Sequence, residues 1–354
     1  MKKEHILVIR FSAMGDVAMV VPVVWSLAHQ YPDLRITVLS RAFARPFFED
    51  LAPNVGFMEA DLKREYHGIK GLNALYRRLT AKQFTAIADL HSVLRSEYLR
   101  MRFNMGRYRV AHIDKHRKGR RRLTSQNNKE LVQQPTSFQN YAEVFKQLGY
   151  PVDIQFTSIF PDGGGDLSQL PVNLAALLTP HSTRIGIAPF AAHEGKTYPP
   201  EKMQQVVEQL ISKHPEAHIF LFGRGQQEDQ YFSAWCQQYP QCVNVSQQLA
   251  SMRQELILMS HLDVMLSMDS SNMHLASLVG TPVVSIWGAT HPYAGFMGWG
   301  QKEDNAIQVQ LDCRPCSIFG QKSCRRGDYA CMNLIKPETI VERINTVLLT
   351  KNNV

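Results

Sequence analysis

No apolar run in this chain approaches the length needed to cross a bilayer as a helix. The opening Met-Lys-Lys-Glu-His-Ile passes straight into a strand with no apolar signal core, so a cytoplasmic protein is expected. Cysteine is scarce: six in 354 residues are too few for a secreted disulfide scaffold. Cys236 and Cys242 flank a short linker, while Cys313, Cys316, Cys324 and Cys331 cluster near the C-terminus. A C-x2-C pair followed by two single cysteines could hold zinc, but the second C-x2-C half of a zinc ribbon is missing. Reduced thiols or a local disulfide are the plainer readings, a cytosolic setting disfavours the disulfide, and no metal is expected. Acidic residues are outnumbered, 31 against 39 Lys and Arg, giving a net charge of +8 and a pI near 9.2. Such a balance suits an anionic partner: nucleic acid, an acidic membrane face or a polyanionic substrate. Nucleic acid is disfavoured. The chain has no helix-turn-helix, zinc-finger or RNA-binding signature, and its densest basic run, Lys115-His-Arg-Lys-Gly-Arg-Arg-Arg122, has no interleaved aromatics.

What is present is apolar material for two cores: 44% apolar and 20% charged residues, which excludes global disorder. Strand-length apolar runs alternate with helical patterns twice over. In the first half the strands are read at 6–9, 36–39, 85–89 and 109–112, separated by helices near 17–31, 67–81 and 93–103. In the second half strands are read at 184–188, 218–222, 242–245, 264–267 and 283–286, with helices near 200–214, 227–238, 252–261 and 271–279. Continuous apolar strands alternating with helices indicate α/β architecture with parallel sheets covered on both faces. The turn-rich stretch from Pro161-Asp-Gly-Gly-Gly-Asp166 to Leu178-Thr-Pro-His181 marks the break. Domains are therefore expected at 1–180 and 181–336, followed by a C-terminal helix at 337–354 with Pro337 at its start and one apolar face at 340, 341, 344, 347 and 348. Two doubly wound domains facing across a cleft are the simplest arrangement, with ligands at the C-terminal ends of the strands.

The most informative stretch is Asp269-Ser-Ser-Asn-Met-His274, set between the apolar run ending at Met268 and the strand starting at Val283. A strand that ends in Asp-Ser and feeds a helix presents free N–H groups and a positive dipole end to a phosphate or pyrophosphate. Asp269, Ser270, Ser271 and His274 thus read as a nucleotide-diphosphate site. Asp269 could instead cap the helix, and His274 could be a satisfied half-buried histidine. In the first half, the strand at 6–9 runs into Arg10-Phe-Ser-Ala-Met-Gly-Asp16 and then a helix. Asp16 sits where a first-turn carboxylate caps a helix, but also at the end of the first strand, the catalytic edge of such a sheet. Pro22 implies that the helix kinks or effectively begins near that residue.

The pieces Arg10-Phe-Ser-Ala-Met-Gly-Asp16, Lys196-Thr-Tyr-Pro199, Asp269-Ser-Ser-Asn-Met-His274 and Gly280-Thr-Pro-Val-Val-Ser-Ile-Trp-Gly-Ala-Thr290 occur in this order. Together they resemble the ADP-heptose:lipopolysaccharide heptosyltransferases, the family 9 glycosyltransferases. The resemblance runs from Ile6 to about Pro337, and Leu311-Asp-Cys-Arg-Pro-Cys316 with Cys324 and Cys331 is similar to the cysteine-bearing tail of the second-heptosyltransferase branch. It implies a GT-B fold and inverting transfer of a heptose or related sugar from an ADP-sugar to the inner core of lipopolysaccharide, with no cofactor and no metal. It also implies Asp16 as general base and Lys196 on the donor phosphates. Asp269, Ser270, Ser271 and His274 would be donor ligands, and Glu228 would lie on the ribose, with Gln226 or Gln227 as alternatives there. The family usually has glycine where this chain has Ser271. If that glycine serves close backbone approach or positive φ, serine would re-aim the pocket.

The implied partners are a nucleotide sugar, an anionic lipid A–core glycolipid and, weakly, the anionic inner-membrane surface, with no nucleic acid. The basic run, through Arg117, Arg120 and Arg121 and helped by Arg95, reads as a clamp for phosphate or carboxylate on that acceptor, because Arg forks bind both bidentately. Its plain alternative is a solvated loop. A nucleotide-sugar epimerase of the same fold would leave the basic run without a task. A non-catalytic sugar-nucleotide binder is opposed by the presence of both Asp16 and Lys196. Lys196 by itself could be a surface charge in a polar loop.

Overall fold

The computed structural model describes residues 4–160, 163–179 and 182–351; Pro161, Asp162, Pro180 and His181 of the turn-rich stretch lie outside the described residues. By contact the chain divides into two units. One comprises Met1–Lys115 with Pro135–Ile159, the other His116–Gln134 with Phe160–Val354. Residues 116–134 and 160–180 therefore group with the second unit, where the sequence reading drew a single boundary at 180.

The first unit holds five parallel strands, β1 (His5–Ile9), β2 (Arg35–Ser40), β3 (Val55–Glu59), β4 (Ala86–Asp89) and β5 (Arg109–His112), in the order β3-β2-β1-β4-β5. Every residue of β1 is buried, as expected for a central parallel strand covered on both faces. β3 was not foreseen. It is an outer strand, only partly buried and interrupted by Gly56, so it lacks the continuous apolar signal of its neighbours. Helices Val20–Gln30, Gly68–Thr80 and Leu94–Met105 fall at the expected places. Pro22 stands in the first turn of the Val20–Gln30 helix, where its missing N–H costs no helical bond. A helix at Ser137–Gln147 was also not foreseen. Its signature is a capping box: the Thr136 hydroxyl accepts the Gln139 N–H at 3.2 Å and the Gln139 side chain accepts the Thr136 N–H at 2.8 Å.

The second unit holds six parallel strands, β6 (Arg184–Ala188), β7 (His218–Leu221), β8 (Cys242–Asn244), β9 (Val264–Met268), β10 (Val283–Ile286) and β11 (Ala306–Ile307), in the order β11-β10-β9-β6-β7-β8. Only the two-residue β11 escaped the sequence pattern. The C-terminal helix Pro337–Lys351 packs Ile340, Val341, Ile344, Val347 and Leu348 into the core of this unit, the five positions the periodicity assigned to its apolar face. The basic run is a helix, Arg117–Leu123, rather than a loop. Leu123 is fully buried and anchors a segment whose Arg and Lys are good helix formers, while Arg117, Lys118, Arg121 and Arg122 are exposed.

Both sheets have the strand order of a Rossmann fold, with a switch point where successive connections leave in opposite directions. It lies between β1 and β4 in the first unit and between β6 and β9 in the second.

Candidate functional site

At the first switch point, the loop after β1 and the loop after β4 meet. Arg10 is buried and donates to the Leu90 carbonyl at 2.6 Å and to Asp16 Oδ2 at 2.7 Å. Asp16 is the third residue of the short helix Met14–Ala18, and its Oδ2 also accepts the Ala13 N–H at 3.1 Å. The expected capping contact is therefore real, yet a quarter of the side chain remains open to solvent (26%), enough for a hydroxyl to reach it. His91 was missed from the sequence. It follows β4 by two residues, its Nε2 lies 3.3 Å from Ser12 Oγ, and its Nδ1 is 3.5 Å from the Phe11 N–H. Burial first, then the positive charges of Arg10, Lys115 and Arg95, lower its pKa to about 3, opposed only by Asp16. The ring is thus neutral through the physiological range.

This depression has a stability consequence. The unfolded ring takes a proton below about 6.5 while the folded one resists to about 3, so the contribution is complete above 6.5 and is lost as pH falls towards 3. Denaturant unfolding at pH 7 and pH 5 should show His91→Gln losing about 2 kcal/mol less than the parent between the two. Parallel losses in both proteins would refute a neutral buried His91.

The second switch point brings Lys196 and Asp269 together. Lys196 closes the 3-10 turn Glu194–Lys196 after β6, and Asp269 directly follows β9. Their Nζ and Oδ2 are 2.9 Å apart, with 16% and 6% of the side chains exposed. Neither alternative reading survives: Lys196 is not a solvated surface charge, and Asp269 is not the helix cap. Ser270 occupies the N-cap of the Ser271–Leu278 helix, and its side chain makes no capping bond; instead its Oγ lies 3.2 Å from Ser267 Oγ. The first N–H groups of that helix are therefore not met by the cap side chain, which leaves them to a ligand or water. Ser271 opens the helix and is not among the positive-φ residues, so serine meets no backbone strain there. His274, in the second turn, is buried rather than half-buried. Glu228 lies in the first turn of the Gln226–Gln238 helix and folds back to accept the Arg224 N–H at 2.8 Å; partial burial pushes its carboxyl pKa up. It lies so close over Gly223 that a methyl there would stand 2.1 Å from Oε2.

Around Lys196 the cysteine-bearing segment acts as a brace. Gly320, at φ +81°, lies against the lysine stem so closely that a methyl would stand 2.4 Å from Lys196 Cδ, and its N–H is held by Ser317 Oγ at 2.9 Å. Arg314 is buried and donates to the carbonyls of Trp287 and Thr290 at 3.0 and 2.9 Å, fixing the loop after β10. The Ala289 N–H in turn bonds the Gly195 carbonyl at 2.8 Å. All six cysteines are free thiols, and Cys313, Cys316, Cys324 and Cys331 line one cavity of about 340 Å³ with Lys129 and Arg325. Among the described residues no group of three or more His, Cys, Asp or Glu is placed to hold a metal ion. Gly320→Ala should cost about 1–2 kcal/mol in stability from the left-handed backbone. By displacing the lysine that the resemblance sets on the donor phosphates, it should also lower ADP affinity about tenfold, read by calorimetry. Unchanged ADP affinity would show that the brace does not set the lysine.

The basic residues do not form one cluster within a unit. Arg95 stands on the Leu94–Met105 helix of the first unit, whereas Arg117, Arg120 and Arg121 lie on a helix of the second, with the Arg120 guanidinium 4.6 Å from the Phe296 ring centroid.

Two Rossmann-type parallel sheets, one with a carboxylate at its switch point and the other with a lysine beside an uncapped helix start, place the protein in the GT-B class. The family profile of glycosyltransferase family 9 (heptosyltransferase) matches residues 72–328, and the chain belongs to that family. It is 22% identical over 294 residues to the lipopolysaccharide core heptosyltransferase OpsX of Haemophilus influenzae, covering 82% of this chain and 80% of the relative. It is 29% identical over 86 residues to lipooligosaccharide heptosyltransferase 2 of Campylobacter jejuni, covering 24% of this chain; the match spans only about a quarter (26%) of that relative's length. Among solved structures, E. coli heptosyltransferase WaaC with ADP superposes with a TM-score of 0.68 at 15% identity, over 97% of this chain and 99% of that one, which supports the fold.

Proposed function

We propose that the protein is an inverting glycosyltransferase that moves a heptose or related sugar from an ADP-sugar to the inner core of lipopolysaccharide. The observation that carries this reading is the Lys196–Asp269 pair beside the start of the Ser271–Leu278 helix, at the switch point of the second sheet. It offers an ammonium with donors beyond the one used for Asp269, and helical N–H groups, to one anionic group. Family membership and the ADP complex of the WaaC structure favour a nucleoside diphosphate as that group.

In the reaction, an acceptor hydroxyl gives its proton to Asp16 as its oxygen bonds to the anomeric carbon. The bond from that carbon to the β-phosphate oxygen breaks with its electron pair, and ADP leaves from the opposite face. The proposal assigns the leaving group's charge to Lys196 and the N–H groups rather than to a metal ion, with Ser270, Ser271 and His274 shaping the donor pocket and Glu228 on the ribose. Arg95, Arg117, Arg120 and Arg121 would bind phosphate or carboxylate groups of the acceptor. The exposed Arg117 and Arg121 would also give weak attachment to the anionic cytoplasmic leaflet.

The test is a donor screen. The protein is incubated with ADP-, GDP- and UDP-sugars, with and without truncated lipid A–core, and released nucleotide is measured. Release of ADP only in the presence of acceptor is expected. Release without acceptor, or from UDP-sugars alone, would overturn the assignment; conversion of a nucleotide sugar to its epimer with no nucleotide released would favour epimerase chemistry.

A further inference from the structure

Four of the ten large apolar side chains exposed among the described residues fall on two adjoining helices of the first unit: Ile69, Leu94, Met101 and Met105, with exposures of 68, 85, 49 and 74%. On the Leu94–Met105 helix, Leu94, Tyr98, Met101 and Met105 follow the spacing i, i+4, i+7, i+11 and so form one stripe, while Leu99 and Phe103 bury the opposite face. The Gly68–Thr80 helix lies alongside: the Asn73 side-chain carbonyl accepts the Tyr98 hydroxyl at 2.8 Å, and the Arg102 guanidinium sits 4.4 Å from the Tyr76 ring centroid. Ile69 stands one turn before Asn73 on the same helix face.

The stripe is framed by positive charge. From Gly68 to Arg107 the sequence holds eight Lys and Arg against two Asp and Glu, and one of those acids, Asp89, is buried against Arg100. Lys70, Arg95 and Arg107 are exposed beside the apolar residues, leaving Glu97 as the single acid on the helix. An apolar stripe with a tyrosine and flanking basic side chains matches a headgroup–acyl boundary, where aliphatic tips enter and cations meet lipid phosphate. No described helix is long and apolar enough to cross a membrane, so the fit is to lying on the bilayer.

We infer that the solvent face of the Leu94–Met105 helix, with Ile69 and Lys70, docks the first unit on an anionic phospholipid bilayer. This deepens the weak membrane attachment proposed above by naming a docking face on the first unit; it does not rest on the glycosyl-transfer chemistry, because the surface contains neither Asp16 nor Lys196 and shares only Arg95, at its margin, with the proposed acceptor contacts.

The full chain is sedimented with vesicles of phosphatidylcholine alone and of phosphatidylcholine with phosphatidylglycerol, neither containing glycolipid. Binding to the anionic vesicles is expected. Leu94→Asp/Met101→Asp/Met105→Asp should weaken it by tenfold or more, and Lys70→Glu by about threefold. Val172→Asp, at an equally exposed site in the second unit, should change nothing. ADP release with a delipidated acceptor should be the same in all variants. Failure to bind anionic vesicles, or equal binding by the triple variant, overturns the inference. So does a concentration-dependent dimer that the triple variant abolishes while vesicle binding persists, because the stripe would then be a contact between copies of the chain. None of these results bears on the donor screen.

Discussion

Asp16→Asn should lower turnover by about 10²–10⁴-fold and leave ADP affinity within about twofold of the parent, because a general base acts on the acceptor proton and not on the donor phosphates. Asparagine is the informative replacement. Its side-chain oxygen can still accept the Ala13 N–H, 3.1 Å from Oδ2 in the parent, and a bond from Arg10, 2.7 Å away, so the helix start keeps its contacts while the basic oxygen is lost. Asp16→Ala removes both. It strips the buried Arg10 of a partner, although the Leu90 carbonyl remains at 2.6 Å, and should cost a further 1–3 kcal/mol or so in stability. Melting temperature and turnover therefore separate the two roles of this carboxylate. Full turnover in Asp16→Asn with a lowered melting temperature in Asp16→Ala would leave Asp16 as a helix cap and nothing more. His91 supplies a further check. Its ring is neutral down to about pH 3, so the acid limb of the turnover profile should not move in His91→Gln.

The fold was legible because the strands that matter are central. β1, β6, β9 and β10 are buried almost throughout and read as nearly continuous apolar runs, whereas the outer β3, with Gly56 as its second residue, gives no such run. Asp16 and Asp269 could be found because each follows a strand directly or within a short loop, and strand ends are visible in a sequence. Their partners could not. Arg10 meets Leu90 and His91 approaches Ser12 across about 80 residues, only because the fold sets β4 beside β1, and strand order has no local signal. The pairing of Lys196 with Asp269 likewise depends on β6 lying beside β9. The helix in the basic run has no signal in the sequence because charge dominates the pattern there, while a single buried Leu123 is enough to seat it. Of the two grounds for concern over Ser271, positive φ does not arise at that position, and close approach of the backbone to a diphosphate is the one that remains.

Lys196→Met should reduce turnover by about 10²–10³-fold and weaken ADP binding as well, the signature of a donor that meets the leaving diphosphate both before and during bond cleavage. Methionine keeps an unbranched stem against Gly320, so the packing of the brace is largely preserved and the ammonium is the group removed. The free protein should suffer too. Asp269, with 6% of its side chain exposed, loses its counter-ion, and breaking a buried pair from one side costs about 3–5 kcal/mol; the 16% exposure of Lys196 argues for the lower end. A double-mutant cycle distinguishes these effects. Asp269→Asn in the Lys196→Met background removes the stranded charge and should recover much of the lost stability, giving a coupling energy of about 1–3 kcal/mol, yet it should recover none of the turnover. Recovery of both together would make the pair a structural strut whose loss merely unsettles the loop after β6. Recovery of stability alone keeps Lys196 in contact with the departing nucleotide, with Asp269 as the residue that holds it in place until the diphosphate arrives.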